Sequence, residues 1–172
     1  MTVLEQIVAR TRDDLTDRKH QLSLAALERT FSQAPRASFH AALCDGRRRG
    51  RPRLIAELKK ASPSKGLLNP NFDAVSLARR YADYGAAALS VLTEPHFFLG
   101  SPEYLRQVHQ AVDLPLLRKD FVIDPYQLAE ARAWGASAVL LLVCLYQGQQ
   151  LIDLYQATQH YGLDALVEVH SA

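Results

Sequence analysis

Apolar residues recur at helical spacing through residues 2 to 33, with Val3, Ile7 and Val8 in one stretch and Leu22, Leu24, Leu27 and Phe31 in the next. Beyond residue 53 the pattern changes to short apolar runs, LIAEL, AALSVL, PLL, AVLLLVCL and ALVEV, separated by amphipathic segments. Runs this short read as buried strands, and their alternation with helical segments predicts a parallel α/β fold. The helices have legible ends. Asp73 is placed to cap a helix with Leu77, Ala78, Tyr81 and Ala82 on one stripe, ended by Gly85. Ser101-Pro102 and Asp124-Pro125 each set a capping residue before a proline at the first helical position, and Gln127 is expected to complete a capping box with Asp124. Leu151, Leu154, Tyr155 and Thr158 form the stripe of the last helix, which Gly162 ends.

Strands beginning near Ala88, Leu116, Val139 and Leu166 are 28, 23 and 27 residues apart, the repeat of a compact βα unit. A doubly wound sheet and a barrel both repeat in this way. No glycine-rich phosphate loop follows the first strand, which favours the barrel. The expected fold is therefore α/β: a partial TIM (βα)8-type barrel of five parallel strands and four connecting helices. Residues 1–50 are read as an N-terminal helical extension and residues 51–172 as an incomplete barrel. A full barrel takes about 250 residues. The reading is thus a chain truncated after the fifth strand, with two unpaired edges. Such a piece is expected to lack activity alone and to self-associate or pair with a missing C-terminal half.

Composition narrows the class without changing the fold. Hydrophobic residues make up 48% of the chain and charged residues 22%, which excludes a disordered segment. A net charge of +2 argues against nucleic acid as the main partner, and GRRRGRPR at residues 46–53 reads as a solvated loop. Cys44 and Cys144 have no Cys or His partner at zinc-ligand spacing, so no metal site is expected. The charged N-terminus lacks a signal-peptide core, and no membrane span is evident; the expected location is the cytoplasm.

Charge does change the picture at the strand ends. IAELKKASPSKG closes the first apolar run with Glu57 and Lys59, which share a strand face because they are two residues apart. Lys119 ends PLLRKDF, and Glu168 lies between two valines in LVEVH. Each charge alone reads as a solvated strand end. Their recurrence on three strands points to the C-terminal rim, where barrel enzymes build active sites. Two lysines and two carboxylates there suit an anionic carbonyl substrate and proton transfer. A neighbouring carboxylate generally favours a charged lysine, which suits a general acid better than a Schiff base. The residues by themselves leave a lyase, an isomerase or an aldolase open. His96, His109, Trp134 and Phe98 read as surface or packing residues, and His170 is expected on the strand face opposite Glu168.

The segments IAELKKASPSKG, LSVLTEPHFFLGSPEYL, LRKDFVIDPYQLAEARAWGASAVLLLV and LVEVH closely resemble, in order and spacing, those of indole-3-glycerol phosphate synthases. The resemblance covers essentially the whole chain. It implies a cytoplasmic carboxy-lyase of tryptophan biosynthesis that needs no cofactor and acts on 1-(2-carboxyphenylamino)-1-deoxyribulose 5-phosphate. By this likeness Lys119 is the general acid, Glu168 the acid/base carboxylate and Glu57 the carboxylate beside them. Lys59 meets the anionic groups of the substrate. Ser62 and Pro63 belong to a loop over it, and Phe121 and Leu140 pack near the anthranilate ring. The alternatives are a non-catalytic half-barrel scaffold that needs a partner, or another phosphosugar barrel such as phosphoribosylanthranilate isomerase or a class I aldolase.

Overall fold

Every apolar run beyond residue 53 forms a strand in the computed structural model, which describes residues 1–32, 37–44 and 52–170. The strands β1 (Ile55–Leu58), β4 (Ala88–Leu92), β5 (Leu116–Lys119), β6 (Ala138–Leu142) and β7 (Asp164–Glu168) lie side by side in that order. All four pairings are parallel. The helices α4 (Ala74–Asp83), α5 (Pro102–Ala111), α6 (Pro125–Ala133) and α7 (Gln150–His160) connect successive strands, as the alternating pattern requires. Between β1 and α4 lies a small antiparallel hairpin, β2 (Ala61–Ser62) with β3 (Gly66–Leu67), in a segment too polar and too short in apolar content to announce strands.

The first segment forms α1 (Val3–Gln21), α2 (Leu24–Glu28) and a further short helix, α3 (Phe39–Cys44). Thr2 and Glu5 cap α1 reciprocally, Thr2 accepting from the Glu5 amide while Glu5 accepts from the Thr2 amide. Its buried stripe is Ile7, Thr11 and Leu15, with Val3 exposed. The first segment packs on the barrel in two places. Leu15 and Leu27 bury against Tyr126 and Ala129 of α6. At the N-terminal ends of the strands, Phe39 packs on Ala88, Leu117 and Ala138. Ser38 and the His40 amide anchor this contact on the Asp164 carboxylate, at 3.2 and 2.9 Å.

Alternation along the strands sorts the core into two sides. Leu89, Val91, Leu116, Val139 and Leu141 share a cluster with Ala78, Leu105, Val108 and Leu128 of the helices. The intervening residues, among them Glu57, Lys119, Leu140 and Glu168, face the other way, into the barrel. Helix ends follow the sequence closely: Asp73, Ser101 and Asp124 each accept a hydrogen bond from the first turn of their helix. Those bonds, chiefly from Ser76, hold the Asp73 carboxyl below the usual carboxylate range. Gln127 departs from the expected capping box. Its side-chain oxygen accepts from the Ile123 amide at 2.8 Å and its nitrogen donates to the Phe121 carbonyl at 2.9 Å, so it braces the loop before α6 and not the cap residue. On α7, Leu154 and Thr158 are buried, but Tyr155 is exposed. Gly135 ends α6 with φ +90°, and a Cβ there would lie 2.3 Å from the His109 ring, so both conformation and space require glycine.

Tyr161 gives the fold a pH signature. Burial and its hydrogen bond to Glu28 push its phenol up to about 12, and burial raises Tyr126 and Tyr146 as well. Their contribution is complete below about pH 10, where both folded and unfolded chains hold the proton. Above that the unfolded chain ionises first, so stability should fall until the folded phenols ionise too. Denaturation midpoints at pH 9 and pH 11 should show this drop, and Tyr161→Phe should remove part of it.

Candidate functional site

Pairing register brings the charged strand ends together. Leu92 lies beside Lys119, and Leu142 beside Glu168, so β4, β5, β6 and β7 finish at one rim, with Glu57 near the end of β1. Within that rim the charges alternate. Lys59 Nζ lies 2.6 Å from Glu57 Oε1, Lys119 Nζ lies 3.8 Å from Glu57 Oε2 and 3.7 Å from Glu168 Oε2, and His170 Nε2 lies 3.0 Å from Glu168 Oε1. Lys59 thus closes a direct ion pair, whereas Lys119 sits between two carboxylates without hydrogen bonding to either. Each of the four charged side chains is about one-third exposed, enough for a substrate to reach them.

These groups line a cavity of about 290 Å³ whose other walls are apolar apart from Asp120. Phe121 and Leu140 stand there, as the sequence likeness implied, together with Leu92, Phe98, Leu142 and, from α1, Leu4. Phe98 and Phe121 are tilted neighbours with centroids 6.1 Å apart. Charged groups on one side and aromatic rings on the other fit a ligand that is both anionic and flat. Ser62 and Pro63 are not among the residues lining this cavity; Ser62 lies in the β2–β3 hairpin, and Pro63 at its turn. The hairpin is tied to the rim by the Ala61 amide, which donates to the Phe98 carbonyl at 3.2 Å.

Three residues differ from the sequence reading. His170 was expected to face away from Glu168, but residues two apart on extended backbone share a side, and it lines the cavity. Phe98 is a wall of the site and not only packing. Its position depends on a bend that no periodicity shows: buried Glu94 accepts hydrogen bonds from the amides of His96, Phe97 and Phe98 at 2.7–2.9 Å. Cys44 meets a histidine after all, His40 one turn earlier on α3, with Sγ to Nε2 3.5 Å. His96 lies between Arg10 and Asp14 of α1, at 3.2 and 2.7 Å, and Trp134 packs beneath the Arg118 guanidinium. Glu94→Ala should cost about 1–3 kcal/mol by leaving three part-buried amides unpaired, and should weaken ligand binding through Phe98. Chemical denaturation and a titration with an anthranilate analogue would check both effects.

Among the described residues, no group of three or more His, Cys, Asp and Glu side chains is disposed to hold a metal ion, and no helix is long and apolar enough to cross a membrane. Residues 46–51 of the arginine-rich stretch lie outside the described residues; Arg53 donates to the Ala42 carbonyl at 2.8 Å.

A family model described as indole-3-glycerol phosphate synthase matches residues 4–172. Two curated relatives, from two strains of Acidithiobacillus ferrooxidans and both named indole-3-glycerol phosphate synthase, are each 45% identical over 171 residues. The match covers 99% of this chain but 65% of each relative, so the chain spans just under two thirds of their length.

Proposed function

Because the chain belongs to the indole-3-glycerol phosphate synthase family, we propose that its strand-end charges carry out the ring closure for which that family is named. The observation that supports this reading most directly is Lys119, an ammonium held between the carboxylates of Glu57 and Glu168 and facing the Phe98–Phe121 wall. The substrate, 1-(2-carboxyphenylamino)-1-deoxyribulose 5-phosphate, has an aromatic ring, two anionic groups and a ketone, which match the apolar wall, the lysines and the proton donor in turn.

The ring sits against Phe98, Phe121 and Leu140, with Lys59 beside an anionic group. The ring carbon bearing the carboxylate attacks the ketone carbon, and Lys119 donates a proton to the ketone oxygen, giving a hydroxyl. Glu57 stabilises the positive charge that develops on the amine nitrogen. Loss of carbon dioxide then returns its bonding pair to the ring. Glu168 assists the loss of water, in which the hydroxyl leaves the former ketone carbon and a proton leaves the adjacent methylene carbon, so that the carbon–carbon double bond forms and completes the indole. A lysine acting in this way makes no covalent bond to substrate. Borohydride should therefore trap no lysine adduct, in contrast to an aldolase.

The relatives are longer than the stretch spanned here, so the activity is proposed for a full-length protein carrying these residues. Incubating the full-length protein with the substrate and following the indole absorbance tests the reading. Steady indole formation is expected; a well-folded protein that binds the substrate and forms no indole would contradict it.

A further inference from the structure

We infer that Arg118, buried behind the rim, is a positioning residue for Lys119. The inference rests on the reading of Lys119 as the proton donor and concerns what sets its place.

Lys119 Nζ touches its carboxylate neighbours only at 3.7 and 3.8 Å, so no short hydrogen bond from its own head group fixes the side chain. Its location therefore depends on its backbone, at the last residue of β5. The residues on either side of it are held far more tightly. Arg118, 1% exposed, points to the helix side of the sheet and donates through Nη2 to Asp120 Oδ2 at 2.9 Å, an ion pair that spans Lys119 from behind. Its Nη1 donates to the Gln127 carbonyl at 2.7 Å and to Glu130 Oε2 at 3.3 Å, and its Nε to Asp120 at 3.2 Å and Thr93 Oγ1 at 3.3 Å. Its guanidinium carbon lies 4.3 Å from the centre of the Trp134 ring. Asp120 takes the Thr93 hydroxyl at 2.6 Å and the Phe121 amide at 2.8 Å, which ties the same clamp to β4 and to the aromatic wall.

The cluster is balanced in charge. Arg18 of α1 donates to Glu130 Oε1 at 2.7 Å, so two guanidinium groups face two carboxylates. It can thus brace β5 without placing a net charge behind the rim. A planar fork with five donors is needed to reach all these acceptors at once, and a lysine cannot reproduce it. Since a shift of about 1 Å in a reacting group can cost on the order of 100-fold in rate, loosening this clamp should be felt at Lys119 although none of the four charged groups of the rim is itself substituted.

The test is a double-mutant cycle in the full-length protein, with folding checked by circular dichroism. Arg118→Lys should lower kcat at least about 10-fold while KM stays within about twofold, and Glu130→Gln, which keeps the volume of the cluster, should lower kcat by a few fold. In a Lys119→Met background neither change should reduce the residual rate further, since the group they position is gone. If Arg118→Lys fails to fold, Glu130→Gln in the two backgrounds decides the matter. An enzyme that depends on Lys119 but is indifferent to these changes, or equally slowed by them in both backgrounds, would overturn the inference alone. A Lys119→Met protein with normal turnover would instead remove the reading on which it rests.

Discussion

Replacing Lys119 by methionine is expected to lower kcat by about 10²- to 10⁴-fold, the range typical of a lost general acid, with a much smaller change in KM. Methionine keeps the length and apolar stem of lysine but offers no proton. The neighbouring carboxylates then face each other across the vacated position, from 3.8 and 3.7 Å on either side of the lost ammonium, so part of the effect will be electrostatic. Lys119→Arg separates the two contributions. It restores a charge between Glu57 and Glu168 but is a far poorer proton donor, because a guanidinium does not deprotonate in proteins. Turnover should stay low in this variant while substrate binding recovers. Steady-state kinetics on the three proteins checks the prediction, and a Lys119→Arg enzyme as fast as the parent would exclude proton donation from this residue.

The largest stability effect is expected at Arg118. Arg118→Met leaves the carboxylate of Asp120, with its residue only 8% exposed, without its cation and deprives Glu130 of one of its two. Breaking a buried pair on one side typically costs about 3–5 kcal/mol, because the remaining charge has lost both water and partner. The same principle predicts a second result with the opposite sense. A triple variant, Arg118→Met with Asp120→Leu and Glu130→Met, removes the charges together and should be more stable than the single variant, provided the new side chains fill the space between β5 and α6. Urea denaturation of the two proteins measures this directly. A single variant within about 1 kcal/mol of the parent would show that the cluster relaxes or is hydrated, against the burial seen for Arg118.

Much of this was legible in the sequence because it rests on local rules. Strand periods of two placed Glu57 with Lys59, and the helix-ending glycines Gly85 and Gly162 marked where the following strands begin. The charged residues stood out against apolar runs, so the cavity groups Glu57, Lys59, Lys119 and Glu168 could be named before any geometry was known. What could not be read depends on contacts distant in sequence. Arg118 looks like one more charge beside Lys119, and only the packing of α1 and α6 shows that it is buried; Arg18 and Glu130 are 112 residues apart. Phe98 is not legible as a wall, because the Glu94 bend that turns it inward leaves no periodic trace. Leu4, on α1, lines the cavity beside residues more than fifty positions away in sequence, a proximity that no local rule gives. His170 follows the same period of two as Glu168, which sets it in the cavity and not on the opposite face.

The proposed roles divide one reaction between two proton-handling groups, and the two products report on them separately. The decisive measurement follows carbon dioxide release and indole formation in parallel, from substrate labelled in its carboxylate, for the full-length parent, Lys119→Met and Glu168→Gln. The parent should release one carbon dioxide per indole. Lys119→Met should lose both signals together, because without protonation of the ketone oxygen the ring does not close. Glu168→Gln should release carbon dioxide faster than it forms indole, as the closed ring waits for dehydration. Loss of both signals in equal proportion in Glu168→Gln, or carbon dioxide release that survives Lys119→Met, would contradict the assignment of ring closure to Lys119 and dehydration to Glu168.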